Sequence, residues 1–344
     1  MFRLCSPCAK RQGEAIGSYS TQSTQISILE GYRSDECYIC NGLLSKLNEL
    51  FKHMLDAVKE YEFNTFLIGC TLPTDMIERE DELRAMLKVK GYESIKNSIS
   101  KELGKMLTSK GYKVDYTKPD IDIHIKVIDA KSMDVTVNVK ARPIYFSAIY
   151  TKHVRGLAQK GQRNSIEYMV RAWLMKELRC EDVRFAWVGG EDKDSLVING
   201  RPFFIKVINA RRLLGYPKGI SIDGIDVQIL ERVNSFPSNV KFLNSVRLYL
   251  ICNNNDAVNK VMLLNNLVVR FRERSKNKDS IKRIYEARVN RVSDDGKMME
   301  VDMLIDGGFM IKRFVDGMDT NPSMKDVIGD VKLMYFDILD VLVR

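Results

Sequence analysis

Four of the seven cysteines stand in two pairs of equal spacing, Cys5-x-x-Cys8 and Cys37-x-x-Cys40. Each pair can form a tight knuckle that turns two sulfurs toward one ion, and two knuckles complete a tetrahedral Zn²⁺ site with four thiolates. The competing readings are two disulfides or four free thiols. Disulfides persist in oxidising compartments, whereas the N-terminus MFRLCSPCAKRQ lacks the apolar h-region of a secretory signal. A structural zinc in a reducing cytoplasm is therefore expected. A four-cysteine site is closed and offers no position to a substrate, which excludes a catalytic zinc. The stretch between the knuckles, rich in Gly, Ser, Thr and Gln, can loop out. Cys70, Cys180 and Cys252 lie in apolar surroundings and read as core.

Other chemistry is bounded by what is missing. There are three histidines, His53, His124 and His153. The first falls in an amphipathic helix and the second in a strand, which argues against a histidine triad or a histidine-rich metal site. No G-x-x-x-x-G-K-[ST] loop supports NTP hydrolysis, and no G-x-G-x-x-G follows a strand. Any reaction has to rest on carboxylates, Tyr, Lys or Arg, without an organic cofactor.

The elements that would position such groups can be read from patterning. The chain has 344 residues, 45% of them hydrophobic and 29% charged, which suits two or three globular domains. Disordered, collagenous and disulfide-dense classes are excluded, and no stretch approaches 18 apolar residues, so no membrane association is expected. With 54 Lys+Arg against 45 Asp+Glu, the net charge is +9, which favours a polyanionic partner. After the second knuckle, Leu44, Leu47, Phe51, Met54, Leu55 and Val58 recur at helical spacing. FNTFLIGCTL reads as a buried strand, IEREDELRAML as a charged, exposed helix or arm, and SIKNSISKELGKML as a second amphipathic helix. IDIHIKV alternates like a half-buried strand. The basic stretch TKHVRGLAQKGQR (151–163) reads as a boundary. Beyond it SIEYMVRAWLMKEL is a helix, and VRFAWVGG, PFFIKVI, VKFLNSVRLYLIC, KVMLLNNLVVRFR, YEARVNRV, MEVDMLIDGGFMIKRF and VKLMYFDILDVLV read as strands. The fold class is α+β, with a zinc module and helix over 1–60, an RNA-binding domain over 61–158 and a mixed-sheet domain over 159–344.

GGEDKDSLVINGRPFFIKVINARR, at 189–212, resembles the G-R-E-D-x-D-V-R-x-L-G-x-G-R-P-F … N-P-R-R signature of the archaeal and eukaryotic tRNA pseudouridine synthases that act on the TΨC arm, at tRNA positions 54 and 55. LCSPCAKRQ and the second cysteine pair look like that family's zinc module. FLIGCTLP, IEREDELR and GYESIKNSISKELGK are similar to its THUMP-containing region, and PDIDIHI and RPIYFSAIYTKHVRGLAQ to the strands that follow. GGFMIKRFVDGMDTNPSMKDVIGD and LMYFDILDV resemble its C-terminal segments. Together, in the family's order, these matches span nearly the whole chain.

The resemblance implies a THUMP-type domain followed by a pseudouridine synthase domain, acting on tRNA as a cytoplasmic, archaeal monomer. It aligns Asp192 with the family's nucleophile, with Asp194 supporting the loop. Lys312 matches the cation beside the nucleophile, and Ile311 would pack against a flipped base. The family's base-stacking Tyr has its local counterpart in NSVRLYLIC, where Tyr249 is nearest but two residues out of register; Tyr285 is the alternative. Arg211 and Arg212 match the N-x-R-R end and would bind phosphate or structure the site. Further RNA contacts would come from Lys152, His153, Arg155, Lys160 and Arg163, and from Arg270, Arg272, Arg274, Lys276 and Lys278. The family's G-R-E-D is G-G-E-D here, with Gly190 for Arg. D-V-R is Asp194-Ser195-Leu196, and H-G-D-x-G-R-T is shortened to Asp316–Thr320. These departures leave a second reading open, a tRNA-binding or folding protein with weakened catalysis on the same scaffold.

Overall fold

The computed structural model describes residues 2–12, 26–29, 35–88, 93–161, 163–252, 256–273 and 278–344. They form two compact units, Met1–Pro143 with Ile208–Gly215, and Ile144–Val207 with Tyr216–Arg344. Most of the stretch between the two knuckles, and the expected contacts Arg274 and Lys276, lie outside the described residues.

The first unit begins with β1 (Phe2–Cys5), α1 (Ser6–Arg11) and β2 (Ile26–Leu29), β1 and β2 pairing in parallel. Next come α2 (Leu47–Val58), β3 (Thr65–Thr71), α3 (Thr74–Met86), α4 (Ile95–Thr108), β4 (Lys113–Val114), β5 (Ile121–Asp129) and β6 (Asp134–Ala141). The sheet order is β4-β3-β5-β6. The alternation in β5 is realised: Ile121, Ile123 and Ile125 are buried and Asp122, His124 and Lys126 exposed. α2 buries Leu50, Phe51, Met54 and Val58, a helical stripe. Ser94 caps α4, its hydroxyl accepting from the Asn97 amide at 3.2 Å. The charged segment expected as an exposed helix or arm is a helix with one face in solvent and one face packed. In α3, Met76, Glu80 and Leu83 are buried, and Glu80 is ion-paired with the equally buried Arg11 of α1. The partners are far apart in sequence, so charge alone did not reveal the packed face.

The second unit holds β7 (Ile144–Lys152), α5 (Ile166–Leu178), β8 (Asp182–Trp187), β9 (Val197–Ile208), β10 (Gly219–Ile222), β11 (Ile225–Val233), β12 (Phe242–Cys252), α6 (Ala257–Lys260), β13 (Val268–Glu273), β14 (Lys278–Val292), β15 (Met298–Asp306), α7 (Ile311–Asp316), β16 (Thr320–Asn321), α8 (Met324–Ile328) and β17 (Val331–Val343). One large sheet runs β10-β11-β7-β9-β17-β12-β15-β14-β13-β16, with β8 on β9. Strand β7, expected to close the RNA-binding part, pairs with β9 and β11 in this sheet. Two expected strands are interrupted. KVMLLNN folds into the end of α6 and a 3₁₀ turn at Val261–Leu264 before β13 starts. In MEVDMLIDGGFMIKRF, β15 stops at Asp306, and Ile311 and Lys312 open helix α7. At the sheet's centre, β9 and β17 run parallel and meet through one residue pair, Val197 and Ile338. The loop that precedes Val197 starts at this seam.

Candidate active site

The β8–β9 connection carries Gly189-Gly190-Glu191-Asp192, and its two adjacent acids have different surroundings. Asp192 is in an ion pair with Lys312, the second residue of α7. The pair opens onto a cavity of about 260 Å³ lined by Gly190, Glu191, Met310, Ile311 and Phe336 among others. Asp192 is mostly buried and Lys312 mostly exposed. The arrangement presents one carboxylate oxygen pair and one ammonium to a small concave space, which suits nucleophilic or proton-steering chemistry.

Glu191 points the other way, into the unit. Its side chain and that of Arg201, on β9, are both fully buried, with Arg201 Nε 3.0 Å from Glu191 Oε2. The Tyr150 hydroxyl donates to both Glu191 carboxylate oxygens at 2.7 Å, and Gln159 Nε2 donates to the Tyr150 oxygen at 2.9 Å. Burial, with Glu191 beside it, pushes the Tyr150 hydroxyl well above the usual phenol range, so it keeps its proton and remains a donor. Arg201 Nη1 also donates to the Val188 carbonyl at 2.7 Å. At Gly189, φ is +76°, and a Cβ there would meet Arg201 Nη1 at 2.7 Å and the Phe242 ring at 2.8 Å. Only glycine fits this turn.

Lys152 holds the loop one residue further on. It is fully buried, and its ammonium donates to the carbonyls of Leu157, Asp192 and Lys193 at 3.0, 3.1 and 3.2 Å. Burial pushes its pKa below the ordinary lysine value. Arg155 donates to the Asp194 carbonyl at 2.5 Å and grips the Asp337 carboxylate with both terminal nitrogens, at 2.6 and 2.8 Å. Asp337 in turn accepts from the Leu196 amide at 2.9 Å. The stretch read from charge as an RNA-contacting boundary thus supplies Lys152, Arg155 and Gln159, with Tyr150 just before it, to the underside of the loop. Lys152 is corrected from a surface RNA contact to a buried clamp, because its donors are already spent on three carbonyls.

The first unit holds the four paired cysteines. Cys5, Cys8, Cys37 and Cys40 are all buried, and their sulfurs lie within 4.8 Å of one another, Cys5 to Cys40 at 3.6 Å. Four sulfurs at about 2.3 Å from one tetrahedral ion would stand about 3.8 Å apart. The donor set and spacing therefore fit a metal. Arg11 Nη2 donates to the Cys8 sulfur at 3.3 Å, a contact that suits a thiolate.

Comparison with known proteins agrees with both units. A family model, "Pus10 THUMP domain, archaeal", matches residues 50–126. The "tRNA pseudouridine synthase Pus10" of Nitrosopumilus maritimus is 29% identical over 338 residues, 90% of this chain and 87% of the relative. Its namesake from Cenarchaeum symbiosum is 29% identical over 362 residues, 96% of this chain and 87% of the relative. Over most of its length the chain is similar to these Pus10 relatives. Among solved structures, a chain of the "Crystal Structure of a Cbf5-Nop10-Gar1 Complex" overlaps at a TM-score of 0.31 and 13% identity, over 57% of this chain and 49% of that one, an overlap too slight to carry weight.

The remaining expected residues are scattered. Ile311 lines the Asp192 cavity and is largely buried. Tyr249 does not line it. In β12, Tyr249 pairs with Tyr335 of β17 and Glu300 of β15, and lines a cavity of its own. The Tyr285 hydroxyl donates to Asp306 at 3.0 Å, and Tyr285 does not line the Asp192 cavity either. The aromatic side chain in that lining is Phe336; Phe242, outside it, is half-buried where a Cβ at Gly189 or Gly307 would meet its ring. Sequence reasoning singled out neither, because their neighbours come from distant segments. His153 is exposed and paired with Asp226 at 2.8 Å. Lys160 and Arg163 are exposed, as are Arg270 and Arg272 on β13. Arg211 belongs to the first unit, ion-paired there with Glu60, and Arg212 beside it is exposed.

Proposed function

We propose that this protein isomerises uridine to pseudouridine in the TΨC arm of tRNA, at position 54, 55 or both, with Asp192 as nucleophile. The observation that carries the reading is the Asp192–Lys312 pair at a small cavity, on a loop clamped from below by four side chains. The names of the relatives support it. The reaction gains and loses no group overall and exchanges no electrons, so it calls for no group donor or oxidant. The Asp192 carboxylate bonds to the ribose C1′ of a flipped uridine, and the N1–C1′ electron pair leaves with uracil. The base turns, C5 bonds to C1′ as the carboxylate departs, C5 gives up its proton and N1 gains one. Lys312 holds the carboxylate in place as a counter-ion. Ile311 and Phe336 shape the cavity around the base. Lys160, Arg163, Arg270 and Arg272 supply cations for phosphate, and shape recognition dominates because folded RNA offers little readable major groove. The protein acts in the cytoplasm, as a monomer.

Unmodified tRNA transcript incubated with the purified protein, followed by base-resolution mapping of pseudouridine, tests this reading. A new pseudouridine in the TΨC arm is expected. Tight binding with no product would leave a tRNA-binding protein with a lapsed active site. If Lys152 sets the loop, Lys152→Met should lower the single-turnover rate about 10- to 100-fold while leaving tRNA affinity within twofold, since a small misplacement of a reacting group can cost that much. An unchanged rate would show that the clamp is dispensable.

The four-cysteine cluster is read as a structural Zn²⁺ site. Metal analysis should find one zinc per chain. Cys8→Ser should abolish it and unfold the first unit at lower temperature, because a structural zinc contributes folding energy directly. Full stability of a metal-free chain would contradict the assignment.

A further inference from the structure

Arg11 ends helix α1, three residues after Cys8, and it is buried. A guanidinium leaves water only where charged partners meet it. Two do so here. Nη2 donates to the Cys8 sulfur at 3.3 Å, and Nη1 is ion-paired with Glu80 of α3. Glu80 is buried too, and its other carboxylate oxygen accepts from the amide of Ile95, the first residue of α4, at 2.9 Å. The first amides of a helix have no partner within it. Glu80 therefore satisfies one of them and sets a negative charge at the positive end of α4. A continuous line of contacts runs from the cysteine cluster through Arg11 and Glu80 to the first turn of α4.

A second arginine shows which end of this line needs Arg11. Arg84, less buried, lies 3.4 Å from the same Glu80 oxygen and donates to the Glu93 carbonyl at 2.7 Å and to the Gln12 side-chain oxygen at 3.0 Å. Glu80 thus keeps a counter-ion without Arg11, and a plain bridge between α1 and α3 calls for only one cation. The demand for the other lies at the cysteines. Four thiolates on one Zn²⁺ carry a net charge of about −2, and here that charge is buried. Arg11 offsets part of it through a charge-assisted hydrogen bond.

We propose that Arg11 is a hydrogen-bonding partner of the metal's thiolates that strengthens metal binding and, through Glu80, makes the first turn of α4 depend on metal occupancy. This rests on the reading of the cysteine cluster as a structural zinc site. Groups just beyond the ligands set how tightly a metal is held. With the metal in place, the Cys8 thiolate holds Nη2 and aims Nη1 at Glu80. When the metal leaves, the sulfurs take up protons, and Arg11 loses one of its two anchors. Helix α4 lies within the residues matched by the THUMP model. Metal occupancy therefore reaches the domain that follows the knuckles and does not stop at the knuckles themselves.

The test compares the full chain as wild type, Arg11→Met and the double variant Arg11→Met/Glu80→Gln. The double variant removes both buried charges together, so it stays folded even if the single variant does not. Chelator competition should show zinc held about 10- to 100-fold more weakly by the variants. In the Co²⁺-loaded chains the sulfur-to-metal charge-transfer bands should move to longer wavelength, because a thiolate that loses a hydrogen bond gives up electron density more readily. A purely structural bridge would leave those bands in place. Zinc removal from the wild type should quicken hydrogen exchange over the first turn of α4 about tenfold, and removal from the double variant should add much less, because the line is already cut. Unaltered affinity and bands in the double variant overturn the role of Arg11 alone, and so does an equal quickening of exchange in both chains. A wild type that takes up neither Zn²⁺ nor Co²⁺ overturns the zinc reading and this inference with it.

Discussion

An Asp192→Asn chain is expected to bind the tRNA transcript as tightly as the wild type and to form no pseudouridine, with a single-turnover rate lower by at least roughly 10⁴-fold. Asparagine keeps the size of the side chain and leaves the loop's supports in place. Those supports reach the backbone carbonyls of Asp192, Lys193 and Asp194 and the Glu191 carboxylate, none of which changes. What is lost is the anionic oxygen and its pairing with Lys312. An amide can neither bond to a ribose carbon as a leaving-group carboxylate does nor hold a counter-ion. Quench-flow assays with mapped product, run beside a binding titration, separate the two effects. Residual turnover within tenfold of wild type would remove Asp192 from the nucleophile's role and return attention to Asp194.

Arg201→Met should be the most destabilising single change in the second unit. It leaves the Glu191 carboxylate fully buried without its counter-ion, and breaking a buried pair from one side costs about 3–5 kcal/mol. In a unit of this size that lowers the thermal midpoint by about 10 °C. Adding Glu191→Gln should restore much of the loss, since Tyr150 and Gln159 can still hydrogen-bond an uncharged amide. Thermal unfolding of the two single variants and the double closes the cycle. Additive losses would mean that the two side chains are not coupled.

How much of this was legible in the sequence depended on distance along the chain. The Cys5/Cys8 and Cys37/Cys40 knuckles were legible because the ligand spacing is local and specific. The strand at Ile121–Asp129 was legible because a period of two needs only seven residues to declare itself. Helix α7 was not. FMIKRF is too short and apolar to choose between periods, and what fixes it is the turn after Asp306 and the packing of Ile311, Phe314 and Val315. Lys152 was misread because a lysine's type signals exposure, while the three carbonyls that bury it arrive from Leu157 and from residues about 40 positions away. Phe242 escaped for a related reason. Its neighbours Gly189 and Gly307 stand on either side of it in sequence at long range, and only the fold makes them one surface. The candidate acids of the loop were visible in a motif; their supports were not, because they are tertiary.

The loop's dependence on Asp337 also has a meaning in time. Leu196 and the carboxylate it binds are 141 residues apart, and Val197 meets the sheet's other half only through Ile338 of β17. At roughly 5–20 residues per second, a ribosome places the loop's anchor about seven to thirty seconds after the loop itself. Until β17 has emerged, the nascent chain carries Asp192 on a loop that lacks its Asp337 anchor. On the reading proposed above, a chain still being translated should not act, and competence should arrive only with the closing strand.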